Sequence, residues 1–85
     1  MTIRICKLTR LIFNDDDFYI FAAFSGEHFT VTYEGDNPPK VLKTVEYQIQ
    51  GDMVKHKKYG KQLIASKYKK VGKIKIQKPE NTFNL

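Results

Sequence analysis

Short segments of this chain alternate apolar with polar residues, and this two-residue period restricts the fold more than any other feature. In residues 29–34, FTVTYE, Phe29, Val31 and Tyr33 share the side predicted to face a core, and the intervening Thr and Glu side chains face outward. Residues 18–24, FYIFAAF, are apolar at every position, which predicts a strand buried on both faces or lying partly at a site. Further strands are predicted at residues 3–13, 45–54 and 62–71, with a last short alternation at residues 73–76.

Two of the predicted strands contain irregular points. Residues 3–13 have apolar residues on both sides of the period, which indicates a curved strand that switches its buried face at a bulge. Gly51 interrupts residues 45–54, which indicates a bend or a close approach of another backbone. No window has a clear helical period, although a short helix around residues 39–44 is an alternative.

Turn-forming residues separate the strands at the spacing of about 8–12 residues that small β-proteins show. The separators are residues 14–17, 25–27 and 35–39, and the segment HKKYGK, in which Gly60 accepts the positive φ of a tight turn. The pattern predicts an all-β fold, a small five- to six-stranded barrel that is OB-like or, alternatively, SH3-like. We expect residues 1–72 to form the OB-like β-barrel domain and residues 73–85 a short terminal strand and polar tail.

Length and composition restrict the class of protein. A chain of 85 residues supports one domain, and 41% apolar residues are too many for a disordered chain. No stretch of about 18 apolar residues occurs, and the N-terminal MTIRICKLTR lacks the apolar core of a secretory signal, so we expect no membrane partner and a cytoplasmic location. The single cysteine, Cys6, excludes a disulfide within the chain and is expected to be a small buried residue.

The positive charge is concentrated in the last third of the chain. Residues 1–54 hold five basic and eight acidic residues, whereas residues 55–85 hold ten lysines and one glutamate. Lysine is a compact point charge that suits phosphates, whereas the planar guanidinium of arginine suits base edges. If the partner is a nucleic acid, we therefore expect contacts to its backbone that depend on salt and tolerate different sequences.

Residue patterns for catalysis or metal binding are weak. His28 and His56 have no acidic residue at helical spacing, and Asp15–Asp17 lacks the continuation of a calcium loop. Gly60-Lys61 resembles part of a phosphate loop, but Gln62 stands where Ser or Thr is required. We expect no catalytic residue, no bound metal and no cofactor in this chain.

Aromatic residues lie among the lysines, as they do in proteins that bind single-stranded nucleic acid by stacking and charge. Tyr68 lies in the same lysine-rich region. The candidate nucleic-acid contacts are Tyr47, Lys55, Lys57, Lys58, Tyr59, Lys61, Lys67, Lys69 and Lys70. The alternative is that the tyrosines pack in the barrel and the lysines form a solvated face.

A family pattern runs along these elements. Its parts are residues 11–14 (LIFN), 15–17 (DDD), 18–20 (FYI), 31–38, 47–52 (YQIQGD) and 54–62 (VKHKKYGKQ). Over about residues 3–70 the chain resembles the N-terminal OB-type barrel of the RecD-like (YrrC/TraA-type) superfamily I DNA helicases, most specifically at residues 51–62. It departs from the family where Asp17 runs directly into Phe18 without the usual glycine, and at residues 41–44, which lack a Pro-Gly approach.

The resemblance implies that the parent protein is an ATP-dependent helicase that moves 5′ to 3′ on single-stranded DNA in repair or recombination, with ATP and magnesium bound outside these 85 residues. The chain is then an excised domain or a small stand-alone relative, and we favour the first. Within this reading Gly60 permits the turn, Tyr59 covers the barrel end, and His56 and Gln62 bind backbone groups of the hairpin. The alternative is that His56, Tyr59 and Gln62 contact DNA directly.

Three functions follow as hypotheses. The first is a non-catalytic accessory domain that contacts or guides single-stranded DNA. The second is a protein-interaction module that docks on the helicase core or on a replication protein, with lysines that only solubilise it. The third is a stand-alone single-stranded nucleic-acid-binding protein.

Overall fold

The computed structural model describes residues 1–58 and 60–73, which form five strands closed into a barrel. The strands are β1 (Thr2–Asp15), β2 (Phe18–Phe24), β3 (His28–Glu34), β4 (Val45–His56) and β5 (Gly60–Lys73). Their order around the barrel is β1-β2-β3-β5-β4, with β1 also paired to β4. All pairs are antiparallel except β3–β5, which is parallel. The prediction of a small OB-like barrel is confirmed.

The long first strand is shared between two neighbours. Residues Thr2–Cys6 pair with β4, and residues Lys7–Asp15 pair with β2. The register shifts twice along the second pairing, between Leu8 and Arg10 and between Leu11 and Phe13. These irregularities are the bulges that the mixed apolar pattern predicted. The predicted switch of the buried face is wrong, because Cys6 and Leu8 are buried and all residues from Thr9 to Asp15 are exposed.

The core fills the barrel with the inward side chains of all five strands. Its largest fully buried side chains are Leu8, Ile49, Leu63, Val31 and Cys6. Burial raises the pKa of the Cys6 thiol to about 11, so the group stays protonated and packs as an apolar residue.

The alternation in β3 is only partly the pattern of a half-exposed strand. Thr30 and Thr32, expected to face outward into solvent, are 8% and 6% exposed. The reason is that β3 has a strand on both sides, so Thr32 lies between Ile20 of β2 and Ile64 of β5. The hydroxyl of Thr30 donates to the carbonyl of Lys61, which compensates its burial.

Gly51 marks a close backbone contact between β4 and β5. The pairing of the two strands is irregular between Gln50 and Gly51, and a Cβ atom on Gly51 would overlap the carbonyl oxygen of Ile64. The bend and the close approach expected at this glycine are therefore both present.

The connection between β3 and β4 is irregular rather than helical. Residues 43 and 44 form a turn, and no helix occurs in residues 1–58 or 60–73, so the short helix considered at residues 39–44 is wrong. The amide and the carbonyl of Lys40 both bond the Tyr47 hydroxyl, which takes these groups away from a helical turn.

The C-terminal boundary is partly visible. β5 continues to Lys73, one residue beyond the predicted end of the barrel domain. The remainder of the predicted terminal strand and tail, residues 74–85, lies outside the described residues. Across the described ranges, no helix has the length and apolar character needed to cross a membrane.

Candidate nucleic-acid interface

The β4–β5 hairpin carries the densest group of lysines. Its strands pair out to His56 and Gly60, and Lys57 and Lys58 form the turn. Gly60 has a φ of +74°, a conformation that glycine adopts without steric cost. The backbone amide of Lys58 donates to His56 Nδ1 at 3.0 Å, so the imidazole binds a backbone group within the turn. Tyr59 lies outside the described residues.

Like charges face each other at the base of the hairpin turn, which is the residue pair next to His56 and Gly60. Lys55 and Lys61 are direct cross-strand partners, and both are exposed. Such a pair places two ammonium groups on one face, which is unfavourable without an anion nearby. Glu27, in the turn between β2 and β3, supplies that anion, with its Oε1 at 2.9 Å from the Lys61 Nζ.

Glu27 also binds Arg4 of β1. The Arg4 Nη1 lies 3.4 Å from Glu27 Oε2, Nη2 donates to the Ser25 carbonyl at 3.3 Å, and the guanidinium carbon lies 4.8 Å from the centre of the Phe29 ring. The hydrogen bond from Lys61, followed by the charges of Lys61 and Arg4, lowers the pKa of Glu27. These contacts join β1, the β2–β3 turn and the base of the hairpin.

Further along the hairpin, Lys67 and Lys69 lie on the outer face of the barrel. They pair with Gln50 and Gln48 of β4, and the four side chains border a shallow cavity of about 250 Å³ next to Tyr68. Lysine and amide groups side by side offer hydrogen-bond donors to an anionic ligand.

Lys70 belongs to a different group, at the barrel end. It pairs with Tyr47 and lines a cavity formed with the β3–β4 connection. The seven candidate lysines therefore form three groups: the hairpin tip and base, the outer face of β4–β5, and the barrel end.

Tyr47 is not an exposed aromatic platform, so the prediction that it stacks on a base from an exposed position is corrected. The residue is 3% exposed and belongs to the core. Its hydroxyl donates to the Lys40 carbonyl at 2.8 Å and accepts from the Lys40 amide at 3.1 Å. The cause is the alternation in β4, which directs Val45, Tyr47 and Ile49 inward together.

Tyr68 is half-buried and joins an aromatic cluster. Its ring meets those of Tyr33 and Tyr47 edge to face, with centroids 5.4 and 5.7 Å apart. Its hydroxyl donates to the Asn37 carbonyl. Burial, with smaller effects of the two neighbouring tyrosines, raises the pKa of Tyr68.

Gln62 is buried in β5, where its backbone pairs with Thr30 of β3 and Val54 of β4. It therefore lies inside the sheet at the base of the hairpin rather than at its tip. The backbone-binding role predicted for its side chain stays a prediction.

A comparison with known protein families covers the barrel and its β4–β5 hairpin. A family model described as the OB-fold domain of the ATP-dependent DNA helicase YrrC matches residues 1–73. The chain belongs to this family. Comparison with curated proteins and with solved structures gave no match. The OB-fold domain of the YrrC family is a non-catalytic module, and the catalytic part of the helicase lies outside this chain.

Charge distinguishes the two loops through which OB folds commonly bind oligonucleotides, those between β1 and β2 and between β4 and β5. In this member of the YrrC family, the β1–β2 turn consists of Asp16 and Asp17 and follows Asp15, so it repels phosphates. The β4–β5 turn instead presents Lys57 and Lys58. Of these two turns, the β4–β5 turn therefore has the charge that suits an anionic ligand.

Sequence reasoning missed Arg4, Glu27 and Lys40 as residues that shape this interface. Arg4 and Glu27 are 23 residues apart and Glu27 and Lys61 are 34 apart, so no local pattern connects them. Only the strand order of the barrel brings them together. For Lys40, the adjacent Pro38-Pro39 pair indicated a fixed turn but not its partner in β4.

Proposed function

We propose that this OB-fold domain is an accessory domain of a YrrC-type helicase that contacts single-stranded DNA during repair or recombination. The observation that carries the proposal is the β4–β5 hairpin, which presents Lys55, Lys57 and Lys58 as exposed residues on one projecting element. Lysines on such a loop bind phosphates along a strand without reading its sequence. A cytoplasmic location is part of the same proposal, supported by membership of a DNA helicase family.

The lysines differ in their expected contribution. Lys61 is already bound to Glu27, so contact with a phosphate requires exchange of one anion for another. Lys67 and Lys69 extend the positive surface along the outer face of β5. Tyr59, which lies outside the described residues, is proposed from the sequence alone to stack on a base. ATP and magnesium belong to the motor of the parent helicase.

A salt series on matched variants tests the DNA contact. Fluorescence anisotropy with labelled oligo-dT measures affinity for the wild type and for Lys55→Gln/Lys57→Gln/Lys58→Gln. Each phosphate contact adds about −0.7 to the slope of log affinity against log salt, so loss of three lysines makes the slope shallower by about 2. Lys61 is left in place because its removal would also disturb Glu27 and Arg4.

The control for this series is Lys7→Gln/Arg10→Gln/Lys43→Gln, which removes the same charge from residues outside the hairpin. We expect it to change the slope much less than the hairpin variant does. Absence of oligo-dT binding by the wild type at low salt would contradict the proposal. So would an equal loss of slope in both variants, because it would mean that only net charge matters.

The second candidate, docking on the helicase core, is favoured by the edge of β1. Within the described strands, Lys7–Asp15 pairs with β2 alone, so the other edge of this stretch presents unpaired backbone groups. Leu11 and Phe13 on the same stretch are 45% and 47% exposed. Salt separates the candidates, because apolar docking on motor domains persists at salt concentrations that release DNA.

A further inference from the structure

A cavity of about 470 Å³ lies at the barrel end, far from the hairpin tip. It opens to solvent and is lined by residues 37–40 of the β3–β4 connection, by Tyr47 of β4, and by Tyr68 and Lys70 of β5. Its volume falls in the range of about 300–1,000 Å³ that small-molecule sites show. Eight residues of β5 separate Gly60 from Tyr68, which at about 3.3 Å per residue corresponds to roughly 26 Å.

Three tyrosine hydroxyls fix the wall of this cavity. Tyr33 donates to the Asp36 carbonyl at 2.8 Å, Tyr68 donates to the Asn37 carbonyl, and Tyr47 bonds both backbone groups of Lys40. Pro38 and Pro39 further restrict the backbone between these points. The connection is thus held in one conformation before any ligand arrives, which lowers the entropic cost of binding.

The chemistry of the lining selects a class of ligand. Tyr68 and Pro38, both half-buried, offer flat apolar surface, and Lys40 and Lys70, both exposed, offer positive charge at the rim. No carboxylate is among the described residues that line the cavity. A ligand that matches has an aromatic face and a negative charge, which is the description of a nucleotide.

We propose that this cavity holds one nucleotide of a single strand, with its base against Tyr68 and Pro38 and its phosphate between Lys40 and Lys70. The inference rests on the proposed contact with single-stranded DNA and adds a base-binding position to it. A strand bound at both the hairpin and the cavity covers the distance between them along β5. We expect the length of such a bound strand to fall within the range of about 4–16 nucleotides that OB folds bind.

The test is an NMR titration of the isotope-labelled 85-residue chain with dTMP and, separately, with inorganic phosphate. We expect dTMP to shift the resonances of Asn37, Tyr68 and Lys70 while the hairpin resonances stay in place. In Lys40→Gln/Lys70→Gln, dTMP affinity should fall about five-fold, because two exposed charge contacts to the phosphate are lost. Lys67→Gln/Lys69→Gln is the matched control, with the same charge change on the outer face of the same strand, and should bind dTMP like the wild type.

Two results would overturn the nucleotide site. One is a dTMP response confined to the hairpin. The other is a phosphate titration that reproduces the dTMP shifts at the cavity, because it would mean anion contact without base binding. Tyr68→Leu tests the contact with the base and should weaken dTMP binding. If Tyr68→Leu does not fold, the comparison of the two double lysine variants still tests the site.

The failure of each proposal has a different signature. If the hairpin variant loses no oligo-dT affinity while dTMP still binds the cavity, the hairpin contact is wrong and the nucleotide site stands. If oligo-dT binding depends on the hairpin but dTMP does not reach the cavity, the nucleotide site is wrong and the hairpin contact stands.

Discussion

A single carboxylate, Glu27, controls the charge at the base of the hairpin. It offsets the repulsion between the cross-strand partners Lys55 and Lys61, and it binds Arg4 of the first strand at the same time. The group is therefore both a stabilising contact and a competitor for any phosphate that approaches Lys61. Removing it should act on folding and on DNA binding in opposite directions.

Glu27→Gln tests both effects. Because the pKa of Glu27 is lowered in the folded state, its charge stabilises the fold above the ordinary pKa of glutamate, about 4.3, and this contribution disappears as the pH falls through the lowered value. We expect a lower urea midpoint than the wild type at neutral pH, a difference that shrinks below about pH 4, and tighter oligo-dT binding at neutral pH.

Glu34→Gln is the control for this variant. Glu34 is exposed at the opposite end of β3, and its side chain has no hydrogen bond or ion pair to the described residues. Glu34→Gln therefore changes the net charge by the same amount as Glu27→Gln without removing such a contact. An equal urea difference in both variants, at every pH, would contradict the role assigned to Glu27.

At the scale of the elements, the pairing of β4 with β5 depends on the small size of Gly51. Gly51 allows the two backbones to approach where their register shifts, and the strands continue in pairing on both sides of this point. This irregularity changes which β5 residues face inward, since Ala65 and Tyr68 both pack against the core. Lys67, which lies between them, is thereby placed on the outer face.

Gly51→Ala should destabilise the domain by about 2–3 kcal/mol, because the added Cβ meets the backbone of Ile64 and the strands must separate. Chemical denaturation measures the change. Asp52→Ala, at the next and exposed position, is expected to stay within about 0.5 kcal/mol of the wild type. A Gly51→Ala variant as stable as the wild type would mean that the strands yield without cost.

Most strand and turn positions could be predicted from the sequence, because the local residue patterns agree with the fold. Period-two alternation, the acidic turn after Asn14 and the glycine at position 60 each act over a few residues. The burial of Thr30 and Thr32 was not predicted correctly. Burial depends on which strands lie on either side, and the parallel β3–β5 pairing leaves no local signature.

At the scale of the whole molecule, the described lysines of residues 55–70 lie on β4, β5 and the turn between them, while β1 has an unpaired strand edge along Lys7–Asp15. Leu11 and Phe13 lie on that edge, and the carboxylates of Asp15–Asp17 at its end repel the phosphates of DNA. These two surfaces match the two partners proposed above, single-stranded DNA at β4–β5 and a protein surface along β1.

Leu11→Ser/Phe13→Ser tests the second face. We expect the variant to bind the motor domains of a YrrC-type helicase about ten-fold more weakly in a calorimetric titration, with its oligo-dT salt slope unchanged. Ile3→Ser/Ile5→Ser is the control, since these exposed residues lie on the part of β1 that pairs with β4. Equal losses in both variants, or none in the first, would argue against docking along the β1 edge.

The topology also has a kinetic consequence. The barrel consists of two locally connected units, the β1–β2–β3 meander and the β4–β5 hairpin, which meet at the β3–β5 and β1–β4 pairings. The partners at the first junction, such as Thr30 and Gln62, are 32 residues apart, so their contact order is high and closure is slow relative to hairpin formation. Proteolytic cleavage within residues 40–44 would turn this intramolecular closure into the association of two fragments, with a refolding rate that depends on their concentration.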